Sequence, residues 1–119
     1  NMPFLENMIP QQEDSNQKNK VANPTRYYIV HSFAAIGSKW QAIVSDIIIS
    51  RKPNNNEVGA KNQFKKAIKG RYPEIYSDFY NNVISNQYMT LALAQSARSS
   101  LLKNYDAKKY DIKTVNFSY

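Results

Sequence analysis

From Thr25 onward, apolar side chains return at intervals of three and four: Ile29, Phe33, Ile36, Trp40, Ile43, Ile47 and Ile48. That spacing lines one face of an α-helix. It predicts a long amphipathic helix from just after Pro24 to about Arg51, ahead of Pro53 and the turn at Asn54-Asn55-Asn56, with a length of roughly 40 Å at 1.5 Å per residue. Gly37, in its middle, costs about 1 kcal/mol relative to alanine and is read as a bend. A second helix runs from about Glu57 to Lys69, with Phe64, Ala67 and Ile68 turned to a core and Gly70 as its C-terminal cap. Pro73 then opens a third helix. Pro73 suits the first helical position, Glu74 and Asp78 complement the positive end of the helix dipole, and Ile75, Tyr76, Phe79, Tyr80, Val83 and Ile84 form its stripe. A fourth places Tyr88, Leu91, Gln95, Arg98, Leu101, Leu102 and Tyr105 on one face, with Ser85-Asn86-Gln87 as a weak break before it.

The two ends read differently. After Asp106 the pattern shifts to a period of two at Val115, Phe117 and Tyr119, which predicts a lone strand or an extended segment packed on the helices. Residues Gln11 to Lys20 are consecutively polar and offer almost nothing to offset the entropy of ordering them. Residues 1–23 are therefore read as a disordered or extended arm, whose apolar head (Met2, Phe4, Leu5, Met8, Ile9) can dock on a neighbour. The expected architecture is all-α: an antiparallel four-helix bundle over residues 24–106, preceded by the arm and followed by a short extended tail over 107–119.

Composition narrows the chemistry. A chain of 119 residues is about one domain. The absence of cysteine excludes a disulfide framework, a thiolate nucleophile and a cysteine zinc site. No apolar run approaches the roughly 18 residues that span a bilayer. His31 is the sole histidine and no Ser-His-Asp or Cys-His arrangement can be assembled around it, so a structural role is expected. The acidic pairs Glu74/Asp78 and Asp106/Asp111 are at most halves of a magnesium site, and the first has a helix-dipole rationale already. The expectation is no catalytic residue, no metal and no cofactor: a binding protein rather than an enzyme.

Charge is where the chain is specific. Arg51, Lys52, Lys61, Lys65, Lys66, Lys69 and Arg71 stand against Glu57 alone, so this stretch carries a net +6 of the chain's +7. Lys61, Lys65 and Lys69 recur every four residues, which stacks three ammonium groups along one helix face over roughly 12 Å. Such a ridge fits a phosphate backbone, and Arg26 and Lys39 are expected to extend it around a duplex. The ridge is lysine rather than the bidentate arginine that reads guanine edges, so backbone binding to double-stranded DNA is expected, without sequence reading. Tyr72, Tyr76 and Tyr80 near the basic segment invite base stacking. Their helical spacing argues for burial with the hydroxyl at the rim, and Trp40 is read the same way.

One local string goes further: Ser32-Phe33, five residues, then Lys39-Trp40-Gln41-Ala42. It resembles a segment of the major coat proteins of filamentous and rod-shaped archaeal viruses, the lipothrixvirus and rudivirus type. The resemblance implies a four-helix-bundle coat protein of the virion, pairing with itself or a second coat protein. Such dimers wrap linear double-stranded DNA in a helical nucleoprotein filament and, in enveloped members, contact the viral envelope. Of the matching residues Lys39 is the natural phosphate contact, while Phe33 and Trp40 are expected to pack. Two other readings compete: a small helical regulator that binds a specific DNA sequence, and an interaction module whose basic face meets an acidic protein.

Overall fold

The segment expected to form one long helix is a β-hairpin. The computed structural model describes residues 24–119, so the expected arm at 1–23 lies outside the described residues. Strand β1 (Arg26–Ile36) turns through Gly37-Ser38 into the antiparallel β2 (Lys39–Ser45), with Ile36 opposite Lys39 and His31 opposite Val44. Gly37 has φ +66° at the first turn position, which suits the two-residue turns that match strand twist. The glycine read as a helix bend is therefore the hairpin turn. The helical spacing was coincidental because β1 is covered on both faces: Tyr28, Val30 and Ala34 enter one core, while Ile29, Phe33 and Tyr27 enter another. A strand buried on both sides reads as a continuous apolar run without alternation. The decisive signal is β-branching, since Ile29, Val30, Ile36, Ile43, Val44, Ile47, Ile48 and Ile49 favour a pleated sheet over a helix.

A short strand β3 (Ile48–Ser50) continues β2 along the same edge of β1. Three steps back along β1, from His31 to Tyr28, correspond to four steps forward on its partner, from Val44 to Ile48. The extra residue is a β-bulge at Asp46-Ile47. There the Val30 N–H donates to Ser45 Oγ at 2.9 Å, so a side chain replaces the missing ladder bond.

The rest of the chain closes the sheet in two crossovers. Helix α1 (Glu57–Arg71) is followed by a single helical turn α2 (Tyr76–Phe79) and a 3-10 turn (Tyr80–Asn82), then strand β4 (Ile84–Tyr88). Helix α3 (Leu91–Ala107) leads to β5 (Asp111–Val115). Strand β4 pairs antiparallel with Tyr27–His31, a stretch whose other edge β2 and β3 occupy, and β5 runs parallel to β2. The sheet order is thus β4, β1, β2 with its continuation β3, then β5. Ala60, Phe64, Ile68, Phe79 and Val83 pack on the face of Tyr28 and Val30, while Ala94 and Tyr105 of α3 pack on the face of Ile29 and Val44. The molecule is a three-layer α/β/α sandwich.

This corrects the all-α bundle expected over residues 24–106. The second expected helix is present as α1 and the fourth as α3, each with slightly shifted ends. The third is reduced to α2 and the 3-10 turn, because Val83 already has extended backbone and Ile84–Tyr88 are needed as the strand beside β1. The expected C-terminal extended segment is a strand in the sheet, and beyond it Phe117 and Tyr119 pack on the α1 side of the core.

Candidate nucleic-acid interface

Helix α1 is held at both ends, which makes its surface a rigid support. Asn56 caps the N-terminus, its Oδ1 accepting from the Gly59 N–H at 2.8 Å, and the Asn56 N–H donates to Tyr119 Oη at 2.9 Å. The Glu57 carboxylate accepts the Gln87 N–H of β4 at 3.0 Å. At the other end the Tyr72 N–H donates to the Ile68 carbonyl, and Tyr72 Oη donates to the Thr114 carbonyl on β5 at 2.7 Å. Ala60, Phe64 and Ile68 are fully buried. Lys61, Lys65 and Lys69 each follow one of these by a single residue, so they form a row about 100° around the helix from the buried stripe.

Two lysines of that row lie against aromatic rings. The Lys65 ammonium sits 5.6 Å from the Tyr80 ring centroid and that of Lys69 sits 5.6 Å from Tyr76. Tyr76 and Tyr80 meet edge to face at 5.1 Å, and Tyr80 Oη donates to the Lys65 carbonyl at 3.4 Å. The Arg71 guanidinium lies 5.1 Å from the Tyr72 ring, and Lys52 lies 5.7 Å from Tyr119. A cation over an aromatic face gains about 0.5–1 kcal/mol at an exposed site. The rings thereby restrict flexible lysines while leaving their N–H donors available. The ion pairs among the described residues, Arg98–Asp46 and Lys113–Asp111, engage none of this row.

The structure divides the expected site residues. Lys61, Lys65, Lys66, Lys69 and Arg71 share α1, and Arg51 and Lys52 lie exposed in the loop leading to it. Arg26 and Lys39 stand at opposite ends of the hairpin, roughly 30 Å apart along the strand at about 3.4 Å per residue, with Arg26 opposite Ser50 beside Arg51 and Lys52 and Lys39 at the far turn. Among the described residues, Arg26 Nε is buried without a hydrogen-bond partner. Tyr76 and Tyr80 are half-buried, in keeping with their expected packing, but their rings face ammonium groups. Trp40, expected to be buried, is 49% exposed and stacks on Tyr110 with centroids 5.6 Å apart. Sequence spacing could not reveal that pair, because parallel pairing of β2 with β5 brings it together across the chain.

Two clefts open on the surface of the described residues. One of about 430 Å³ adjoins the end of the ridge and is lined by Arg71, Tyr72, Asp46, Thr114 and Asn116 among others. The other, about 290 Å³, lies between β4 and α3 and includes His31, Asn86, Ser100 and Asn104, with no charged side chain in its lining. His31 is buried there, and its Nδ1 shares a 2.8 Å hydrogen bond with Tyr105 Oη. Burial pulls the His31 pKa down to about 4 and, with the nearby Tyr110, pushes that of Tyr105 up to about 12. Both groups are therefore neutral at pH 7.

No family model, curated protein or solved structure matches the chain. The Ser32–Ala42 string that resembles viral coat proteins forms most of the β1–β2 hairpin rather than part of a helix.

Proposed function

We propose that the chain binds double-stranded DNA through its phosphate backbone, without reading sequence, by the basic row on α1. The observation that carries this is the alignment of Lys61, Lys65 and Lys69 on one capped helix, with Lys65 and Lys69 steadied over Tyr80 and Tyr76. Ammonium groups so arranged meet phosphates as point charges. Base edges are read by other geometry, and the row offers no arginine pair for them. Packaging of a genome in a virion, with pairing to itself or to a second coat protein, was implied by a resemblance whose helical bundle this chain does not form. DNA binding rests on the charge of α1 and does not need that bundle.

The test is charge reversal. Lys61, Lys65 and Lys69 changed together to Glu retain the helix, because all three lie off its buried stripe, and are expected to weaken binding of a random-sequence duplex at least 100-fold in a fluorescence-anisotropy titration at low salt. Affinity unchanged from wild type would remove α1 as the contact surface. A gap of roughly 10³ or more between one particular duplex and random DNA would instead support a sequence-specific regulator.

A further inference from the structure

A second cluster lies away from α1, where β2 and β5 begin. Trp40 is about half exposed and its ring stacks on Tyr110, the ring planes 24° apart. Phe33 backs both rings, at 6.3 Å from each. Large aromatics left half-exposed on a fixed support present a flat apolar surface that water solvates poorly, and here the support is a packed hairpin rather than a loop. Lys108 and Lys109 precede Tyr110 in the chain and are both exposed, whereas Lys39, next to Trp40 on β2, projects from the opposite face of the sheet, that of Ile36 and Ile43. Among nearby carboxylates, Asp111 is engaged by Lys113 at 3.3 Å, which leaves Asp106 as the acidic group of the turn.

The backbone adds a further indication. Helix α3 ends with the Tyr110 N–H donating to the Tyr105 carbonyl and the Lys109 N–H to the Asp106 carbonyl, and Lys109 sits at φ +64°. That is the Schellman arrangement, whose left-handed position favours glycine. A lysine stands there instead, at a conformational cost and with its side chain exposed.

We infer that Trp40 and Tyr110 form a stacking platform for an unpaired base of single-stranded nucleic acid, with Lys108 and Lys109 holding the flanking phosphates. Aromatic faces bordered by cations capture single strands in this way: every base offers a π-face, and the phosphates supply the charge that the lysines answer. A purely apolar partner would gain nothing from the lysines, and a phosphate-only partner nothing from the open indole. The site goes beyond the α1 row, since it shares no residue with it.

Trp40 is the only tryptophan in the chain, so its fluorescence reports this site alone. The experiment titrates the full chain with twelve-residue oligo-dT and, in a separate arm, oligo-U, against an abasic oligonucleotide of the same length. Saturable quenching by oligo-dT or oligo-U, with little by the abasic strand, is expected. Equal response to based and abasic strands, or no response, would overturn the platform. Trp40→Ala should weaken binding of labelled oligo-dT by roughly 5- to 100-fold. In case that variant unfolds, the exposed Lys108→Gln, Lys109→Gln double variant keeps the reporter and should move the quenching midpoint to at least threefold higher oligonucleotide concentration; an unmoved midpoint counts against the site. The Lys61, Lys65, Lys69 to Glu variant separates the two readings: retained oligo-dT quenching confirms an independent platform, and lost quenching refutes it.

Discussion

Gly59 shows how a single hydrogen in place of a side chain sets the position of the basic helix. A Cβ there would run into the Tyr119 hydroxyl, whose ring also meets Tyr28 edge to face at 5.6 Å and whose oxygen accepts the Asn56 N–H. In an unobstructed helix, glycine to alanine stabilises by about 1 kcal/mol. Gly59→Ala is expected to do the opposite, destabilising by about 1–3 kcal/mol through overpacking, as read from urea unfolding. A gain in stability would show that Tyr119 does not dock on α1. His31 gives a pH prediction. Its pKa falls from 6.5 when unfolded to about 4 when folded, so between those values the unfolded chain takes up a proton that the folded chain does not. Stability is retained above about pH 6.5 and declines as pH falls toward 4, by up to about 3 kcal/mol from this residue. His31→Asn, which keeps a polar partner beside Tyr105, should flatten that part of the stability curve. Identical slopes for variant and wild type would rule out the burial of a neutral imidazole.

Among the elements, the two long helices, each covered on one face, were legible in the sequence, and the central strand, covered on both, was not. Helix α1 declared itself because Phe64 and Ile68 fall on one side and Lys61, Lys65 and Lys69 on another, and α3 because Leu101, Leu102 and Tyr105 recur with a helical period. Strand β1 has no polar face to alternate with, and the positions that mimic one helical stripe split between its two sides, Ile29 and Phe33 facing α3 while Ile36 faces α1. Strand β4 was hidden for the opposite reason: its exposed Asn86 and Gln87 read as a break between helices, although both belong to an edge strand. The same contrast governs the sites. The α1 row is contiguous in sequence and was visible as charge at a spacing of four. The Trp40–Tyr110 pair depends on sheet pairing between distant segments and left no local trace. Gly37 tests the hairpin directly. Nothing lies within 4 Å of a Cβ built there, so Gly37→Ala should cost about 1 kcal/mol through its positive φ alone, measured by thermal unfolding. Increased stability, as expected for a glycine inside a helix, would contradict the turn.

At the scale of the whole molecule, the three layers separate chemistries. The α1 layer carries the aligned cations, whereas the opposite layer carries the uncharged cleft at His31 and, at the sheet end, the half-exposed indole. Net charge of +7 draws the chain toward any polyanion, but its concentration on α1 gives the attraction a direction. The most direct test of that claim is the salt dependence of binding to a random-sequence duplex, wild type beside the Lys61, Lys65, Lys69 to Glu variant. Neutralising about four or five phosphates from α1 predicts that log K falls against log salt with a slope of roughly −4 in the wild type, shallower by about 3 in the variant. A wild-type slope near zero, or the same steep slope in both proteins, would contradict binding through the α1 row.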